Sequence, residues 1–108
     1  MAPEFELHTA YVGDTAMVTV VGEVDLLTSV RLNRELDMAL DRTPTPTWLR
    51  VDLAGVGFMD TTGVAVLLKA RRRALQLHCR FTVASTSHAI GRLLEITGLA
   101  GLLAETGE

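Results

Sequence analysis

Six consecutive residues, Phe58-Met59-Asp60-Thr61-Thr62-Gly63, place one carboxylate and two hydroxyls just ahead of an apolar-periodic run from Val64 to Leu77. An acid and two nucleophilic oxygens thus stand at the mouth of a helix. The first turn of a helix has backbone N–H groups without intrahelical partners and about half a unit of positive charge. A phosphate delivered there, or attached to a hydroxyl there, is stabilised without added machinery. Asp60 also suits a plain N-cap, because its carboxylate can accept from the same donors. Gly63 lets other atoms come close to the first turn and is expected to serve packing rather than chemistry. Thr62 is expected to be structural through its first-turn position, although it too carries a hydroxyl. Met59 and Val64 are candidate partner contacts, whereas core packing is the expected role of Phe58.

A second acidic mouth, Gly22-Glu23-Val24-Asp25, precedes another amphipathic segment. If the strands ahead of the two mouths are neighbours, both loops open at the same end of a sheet, and Asp25 and Asp60 flank one hydroxyl. Asp25 then either helps position that hydroxyl or caps the first helix.

The elements that must hold these residues follow from periodicity. Phe5 to Tyr11 alternates and reads as a strand with one buried face; Gly13-Asp14 supplies a turn. Ala16 to Val21 is nearly continuous in apolar residues, as in a strand covered on both faces, with Gly22 ending it. From Thr28 the period changes: Leu32, Leu36, Ala39 and Leu40 fall at helical spacing. Thr43-Pro44-Thr45-Pro46 cannot continue that helix. Trp48 to Leu53 reads as the third strand, Gly55-Val56-Gly57 as a turn toward Asp60, and Thr62 to Leu77 as the second helix. Arg80 to Ala84 is the fourth strand. One of Ser85, Thr86 and Ser87 caps a third helix carrying Ile90, Leu93 and Leu94, which Gly98 closes with Leu99 folded back on its last turn. Leu102-Leu103-Ala104 is expected to form a short final strand. The order β-β-α-β-α-β-α-(β) predicts an α/β fold with a mixed sheet, its first strand pair antiparallel and the rest mainly parallel. In such sheets sites collect where strands meet helix N-termini.

Length and composition bound the rest. A chain of 108 residues, 48% hydrophobic and 5% aromatic, is one domain (residues 1–108) with an aliphatic core. Its net charge of −3, with one dense basic cluster at Arg71-Arg72-Arg73, does not favour nucleic acid as a partner. Cys79 has no second cysteine to pair with and reads as a small buried hydrophobe, as expected in a reducing cytoplasm. Met1-Ala2-Pro3-Glu4 has no basic start or apolar core of a leader, and no apolar stretch reaches the roughly 18 residues of a membrane span. A cytoplasmic protein without membrane attachment is the expectation. His8, His78 and His88 have no ligand spacing, and neither a metal nor a cofactor is expected.

With these segments in place the chain resembles the STAS domains, and among them the bacterial anti-anti-sigma factors, or anti-sigma factor antagonists. The resemblance covers nearly the whole chain. It rests on Val21-Gly22-Glu23-Val24-Asp25, Val51-Asp52-Leu53, Phe58-Met59-Asp60-Thr61-Thr62-Gly63-Val64 and Leu93-Leu94-Glu95-Ile96-Thr97-Gly98-Leu99, four matched segments in order. It implies a protein-binding switch in the partner-switching regulation of transcription, with no catalytic residues of its own. The first hydroxyl after the aspartate, here Thr61, is the implied phosphoacceptor, in the setting of Asp25, Asp60, Thr62 and Gly63. Glu23, Asp25, Met59 and Val64 are the implied partner contacts. The implied partners are a kinase-type anti-sigma factor, which carries the ATP, and a metal-dependent serine/threonine phosphatase that restores the unmodified form. Thr61 stands where the best-known members carry Ser. The chain ends at Thr106-Gly107-Glu108, where many relatives carry one more amphipathic helix, so that helix is expected to be absent or truncated.

Three other readings remain. A STAS regulatory subunit of a stress-sensing complex or a lipid transporter also carries Asp-Thr at this place. A dimeric aspartic protease uses an Asp-Thr-Gly loop but needs an all-β chain, and an aspartyl-phosphate enzyme needs further acidic and lysine groups.

Overall fold

The computed structural model describes residues 4–104. Strand β1 (Glu6–Val12) turns at Gly13-Asp14 into β2 (Thr15–Val24), and the two pair antiparallel from Glu6↔Val21 to Val12↔Thr15. Helix α1 (Leu26–Asp41) leads to β3 (Trp48–Met59), α2 (Thr61–Gln76) to β4 (Arg80–Thr86), and α3 (His88–Ile96) to the single turn α4 (Ala100–Leu103). The sheet order is β1-β2-β3-β4, with β2, β3 and β4 mutually parallel. The expected mixed α/β sheet, antiparallel only in its first pair, is therefore present.

One core holds the fold. Ala16, Val18, Val20 and Val24 of β2 and Leu49, Val51 and Leu53 of β3 are fully buried, and they form a single cluster with Leu32, Leu36 and Leu40 of α1 and Leu67 and Ala74 of α2. Burying apolar side chains such as these supplies about 1.5–3 kcal/mol each against exposure. The alternate residues Met17, Thr19 and Val21 are only half-buried. Strand β2 is thus covered by helices on one face rather than two. Its apolar continuity reflects β-branched packing between neighbouring strands, and Trp48 on the opposite face stacks with Arg50 and Arg80 and donates to Thr82 Oγ1 at 2.9 Å.

Four boundaries depart from expectation for local reasons. Gly22 does not end β2, which continues to Val24 through a register shift against β3. Gly55-Val56-Gly57 is not a turn: β3 runs on through it to Met59 because the ladder with β2 persists to Val24↔Met59. Helix α1 starts at Leu26 because Asp25 caps it. Leu102-Leu103-Ala104 is not a strand; α4 ends at Leu103, whose side chain is fully buried, and only Ala104 bridges to Val83 of β4. A four-residue apolar piece packs its Leu into the core more fully as a helical turn than a sheet edge would allow.

Helix α3 closes as expected, with Leu99 N–H donating to Leu94 O and Gly98, at φ +77°, donating to Glu95 O. These are the two bonds of a Schellman motif. The expectations placed on the first three residues and on Thr106 to Glu108 lie outside the described residues.

Candidate functional site

Parallel pairing of β2, β3 and β4 sends their C-terminal ends to one rim of the sheet, so the mouths of α1, α2 and α3 open side by side. Each mouth is capped by the first polar residue after its strand: Asp25, Asp60 and Ser87. The first two are bound to each other through the backbone, because Asp60 N–H donates to Val24 O at 3.0 Å, one step beyond the last register pair.

The two aspartates nevertheless do not flank one hydroxyl. Asp25 Oδ1 accepts from Leu27 N at 3.0 Å and Thr28 N at 2.9 Å, while Thr28 Oγ1 accepts from Asp25 N at 2.8 Å. This reciprocal pair is a capping box, with Thr in the place usually taken by Glu. The Thr28 backbone N–H and hydroxyl together hold the Asp25 carboxyl below its ordinary range. Hydrogen bonds to the charged form favour that form. Asp25 is therefore the N-cap of α1, and no bond from it reaches Thr61.

Asp60 turns into its own helix in the same way. Its Oδ1 accepts from Thr62 N at 2.9 Å, Gly63 N at 3.4 Å and Thr62 Oγ1. Thr61, the first residue of α2, is exposed, and among the described residues its hydroxyl makes no hydrogen bond. Of the two adjacent hydroxyls, one is tied to the cap and one faces solvent.

Gly63 is buried, and a Cβ there would stand 2.5 Å from Met59 Cγ and 2.8 Å from Val24 Cγ1. Close packing of the first turn on the ends of β2 and β3 requires that residue to lack a side chain. Met59 accordingly lies under the helix at 4% exposure rather than open to solvent, and it lines the groove beside Thr61. Phe58 is the exposed member of the pair at 49%, against the expectation that it packs in the core. The physical reason is strand pairing. β3 does not turn at Gly55 but takes two register shifts against β2, which bury Val56 between exposed Gly55 and Gly57 and bring Met59 back inward, while Phe58 pairs with exposed Glu23. Simple alternation does not describe this stretch, since it would turn Gly55 and Gly57 inward and Val56 outward.

Phe58, Val64 and Leu68 line one side of an open groove of about 530 Å³ beside Thr61, and Leu93 of α3 and its C-cap Thr97 line the other. Val64 is half-buried along this wall, and Ile96 of α3 is 75% exposed. The groove and the α3 contribution were not legible in the sequence, where Leu93 read only as a core position. The site combines an exposed hydroxyl and the capping Asp60 at one helix N-terminus, Glu23 and Asp25 at the end of the neighbouring strand, and an apolar wall. It can accept a phosphoryl group and present a surface to a protein. Cys79, by contrast, is buried, and burial pushes its thiol up, as for an inert core residue. Helix α2 begins at Thr61, which is incompatible with the all-β loop of an aspartic protease. No helix among the described residues is long and apolar enough to cross a membrane.

Comparison with known proteins bears directly on this arrangement. The family model described as "Mlab, STAS domain" matches residues 7–104. The anti-sigma-B factor antagonist of Listeria monocytogenes is 30% identical over 86 residues, covering 80% of this chain and 74% of its own length. That of Staphylococcus aureus is 34% identical over 87 residues, covering 80% and 78%. Among solved structures, an anti-sigma factor antagonist from Mycobacterium paratuberculosis superposes with a TM-score of 0.81 at 23% identity, over 96% of this chain and 88% of that one. The anti-sigma factor antagonist SpoIIAA in its unphosphorylated form gives 0.75 at 19% identity, over 97% and 89%. SpoIIAA from Bacillus in its phosphorylated form gives 0.71 at 19% identity, over 97% and 92%, and these structures share the fold described above. On the family match and the 30–34% identical relatives, the chain belongs to the STAS domain family, in the company of the anti-sigma factor antagonists.

Proposed function

We propose that this protein is an anti-sigma factor antagonist whose unmodified form binds a kinase-type anti-sigma factor, and that phosphorylation of Thr61 switches this binding off. The observation that carries the reading is the contrast at the α2 mouth: Thr61 is exposed, with a hydroxyl unengaged among the described residues, at the edge of an apolar groove. Its relatives named as anti-sigma-B factor antagonists support the partner class. The protein supplies the acceptor oxygen and the docking surface, whereas the ATP belongs to the partner and a metal-dependent phosphatase resets the switch. It is a regulator, not an enzyme. Glu23, Asp25 and Val64 form the partner contact, with Met59 at the base of the groove and exposed Phe58 beside it.

The energetics favour disruption without refolding. A phosphate on Thr61 adds about −1.5 to −2 charge at neutral pH. Two unit charges about 6 Å apart, at an effective dielectric of 20, repel by roughly 3 kcal/mol before salt screening, so the acids of the rim disfavour a phosphate held among them. The helix N-terminus returns at most about 2 kcal/mol. The phosphate therefore turns outward, into the space a partner must dry, and a dianion buried without a counter-charge weakens the complex by about 100-fold or more.

The test is incubation of the protein and its Thr61→Ala variant with the kinase-type anti-sigma factors of its host and ATP, read by fragment mass analysis and by binding before and after. One phosphate on Thr61, absent from the variant, with a hundredfold fall in affinity, is expected. Stable binding to another protein with no phosphate under any kinase would instead favour the regulatory-subunit reading, with Thr61 a contact.

A further inference from the structure

Two threonine hydroxyls stand side by side at the α2 mouth, and the fold treats them differently. Thr62 donates both its N–H, at 2.9 Å, and its Oγ1–H to the same oxygen of Asp60, and its side chain is half-buried. Thr61 is exposed and its hydroxyl is unengaged among the described residues. We propose that Asp60 is the positioning residue that selects the acceptor: by holding the Thr62 hydroxyl at the helix cap it directs phosphoryl transfer to Thr61. The inference rests on the phosphoacceptor reading above.

Transfer forms a P–O bond at a threonine Oγ1 while the bond from the γ-phosphorus of the partner's ATP to the ADP oxygen breaks. The hydroxyl proton passes to a base of the kinase. The accepting hydroxyl must therefore leave the surface of its own protein and reach both the phosphorus and that base. Thr61 meets this requirement by side-chain rotation alone. Thr62 must first give up a hydrogen bond to a carboxylate, a charge-assisted bond whose loss corresponds to roughly a ten- to hundredfold disadvantage. The phosphate produced on Thr62 would also lie against Asp60, where like charges repel at short range. The Thr62–Asp60 hydrogen bond has one alternative meaning, that the carboxylate acts as a base and activates Thr62, and this predicts the opposite site.

The experiment maps the phosphate in the full chain after reaction with a kinase-type anti-sigma factor and ATP, for wild type, Asp60→Gly and Asp60→Asn. Glycine is tolerated at an N-cap yet offers no side-chain acceptor, and asparagine keeps an acceptor oxygen. Circular dichroism checks that each variant is folded, and NMR of hydroxyl protons in water reports bonding at each threonine without any kinase. Wild type should carry at least about tenfold more phosphate on Thr61 than on Thr62 and should show a protected hydroxyl proton at Thr62 alone. In Asp60→Gly that protection should vanish and the two sites should approach equal labelling, whereas Asp60→Asn should restore the preference for Thr61. Phosphate mainly on Thr62 in wild type, or labelling confined to Thr61 in Asp60→Gly despite a free Thr62 hydroxyl, overturns the proposal. A protected Thr62 hydroxyl with no phosphate on either residue overturns the phosphoacceptor reading itself, and selection with it.

Discussion

Gly63→Ala is the substitution that most directly probes how the site is held. The added methyl would meet Met59 Cγ at 2.5 Å and Val24 Cγ1 at 2.8 Å, both inside contact distance. Met59 can adjust its outer torsions, but Val24 is fully buried and β-branched, so α2 must lift from the ends of β2 and β3. Overpacking of this kind costs about 1–3 kcal/mol, and the better helix propensity of alanine returns at most about 1 kcal/mol. The expected net loss is about 1–2 kcal/mol, or a melting temperature lower by about 5–10 °C. Urea unfolding of a double-mutant cycle separates strain from other causes. Val24→Ala alone opens a small cavity at about 2 kcal/mol, but it makes room for the new methyl, so the pair should be less destabilised than the sum by at least about 0.5 kcal/mol. A Gly63→Ala protein as stable as wild type, or strict additivity in the cycle, would show that the first turn does not rest on these two side chains.

Three further outcomes are expected. His78 occupies the C′ position of α2 at φ +58°, its N–H donating to Leu75 O at 3.1 Å. His78→Gly should therefore raise stability by about 0.5–1 kcal/mol in urea unfolding, since glycine adopts that conformation without a Cβ clash. The Asp25 carboxyl is held below its ordinary value of 3.8, so the stability it contributes is complete above that value and is lost as pH falls through its lower folded value. The stability gap between wild type and Asp25→Asn should thus be constant above about pH 5 and close as the solution is made more acid, and a gap that widened in acid would contradict the capping geometry. Leu103→Ala, at a fully buried position of α4, should cost about 2–5 kcal/mol by the same unfolding assay, whereas a loss under about 0.5 kcal/mol would mean the final turn is not part of the core.

The sequence by itself determined the types and order of the elements up to the third helix and the location of the acidic helix mouths, but not the final piece, expected as a strand and found as the turn α4. These rest on local physics: helical spacing of Leu32, Leu36, Ala39 and Leu40, proline after Thr43, Gly98 with Leu99 at a helix end, and aspartates that can cap the turn following them. Gly63 was legible for the same reason, because a glycine inside the first turn of an otherwise good helix signals close approach. What only the tertiary structure decided is where each side chain of the site points. A ladder between β2 and β3 that continues past Gly55 and Gly57 with two register shifts keeps Met59 inward and puts Phe58 outside, a result that depends on strand pairing rather than on residue type. The same pairing brings the mouths of α1 and α2 together, yet each aspartate turns into its own helix, because unpaired N–H groups two and three residues ahead lie nearer than any hydroxyl across the rim. Thr61 and Thr62 are identical as letters; one carboxylate oxygen, placed by the fold, makes one of them a bound hydroxyl and leaves the other facing solvent.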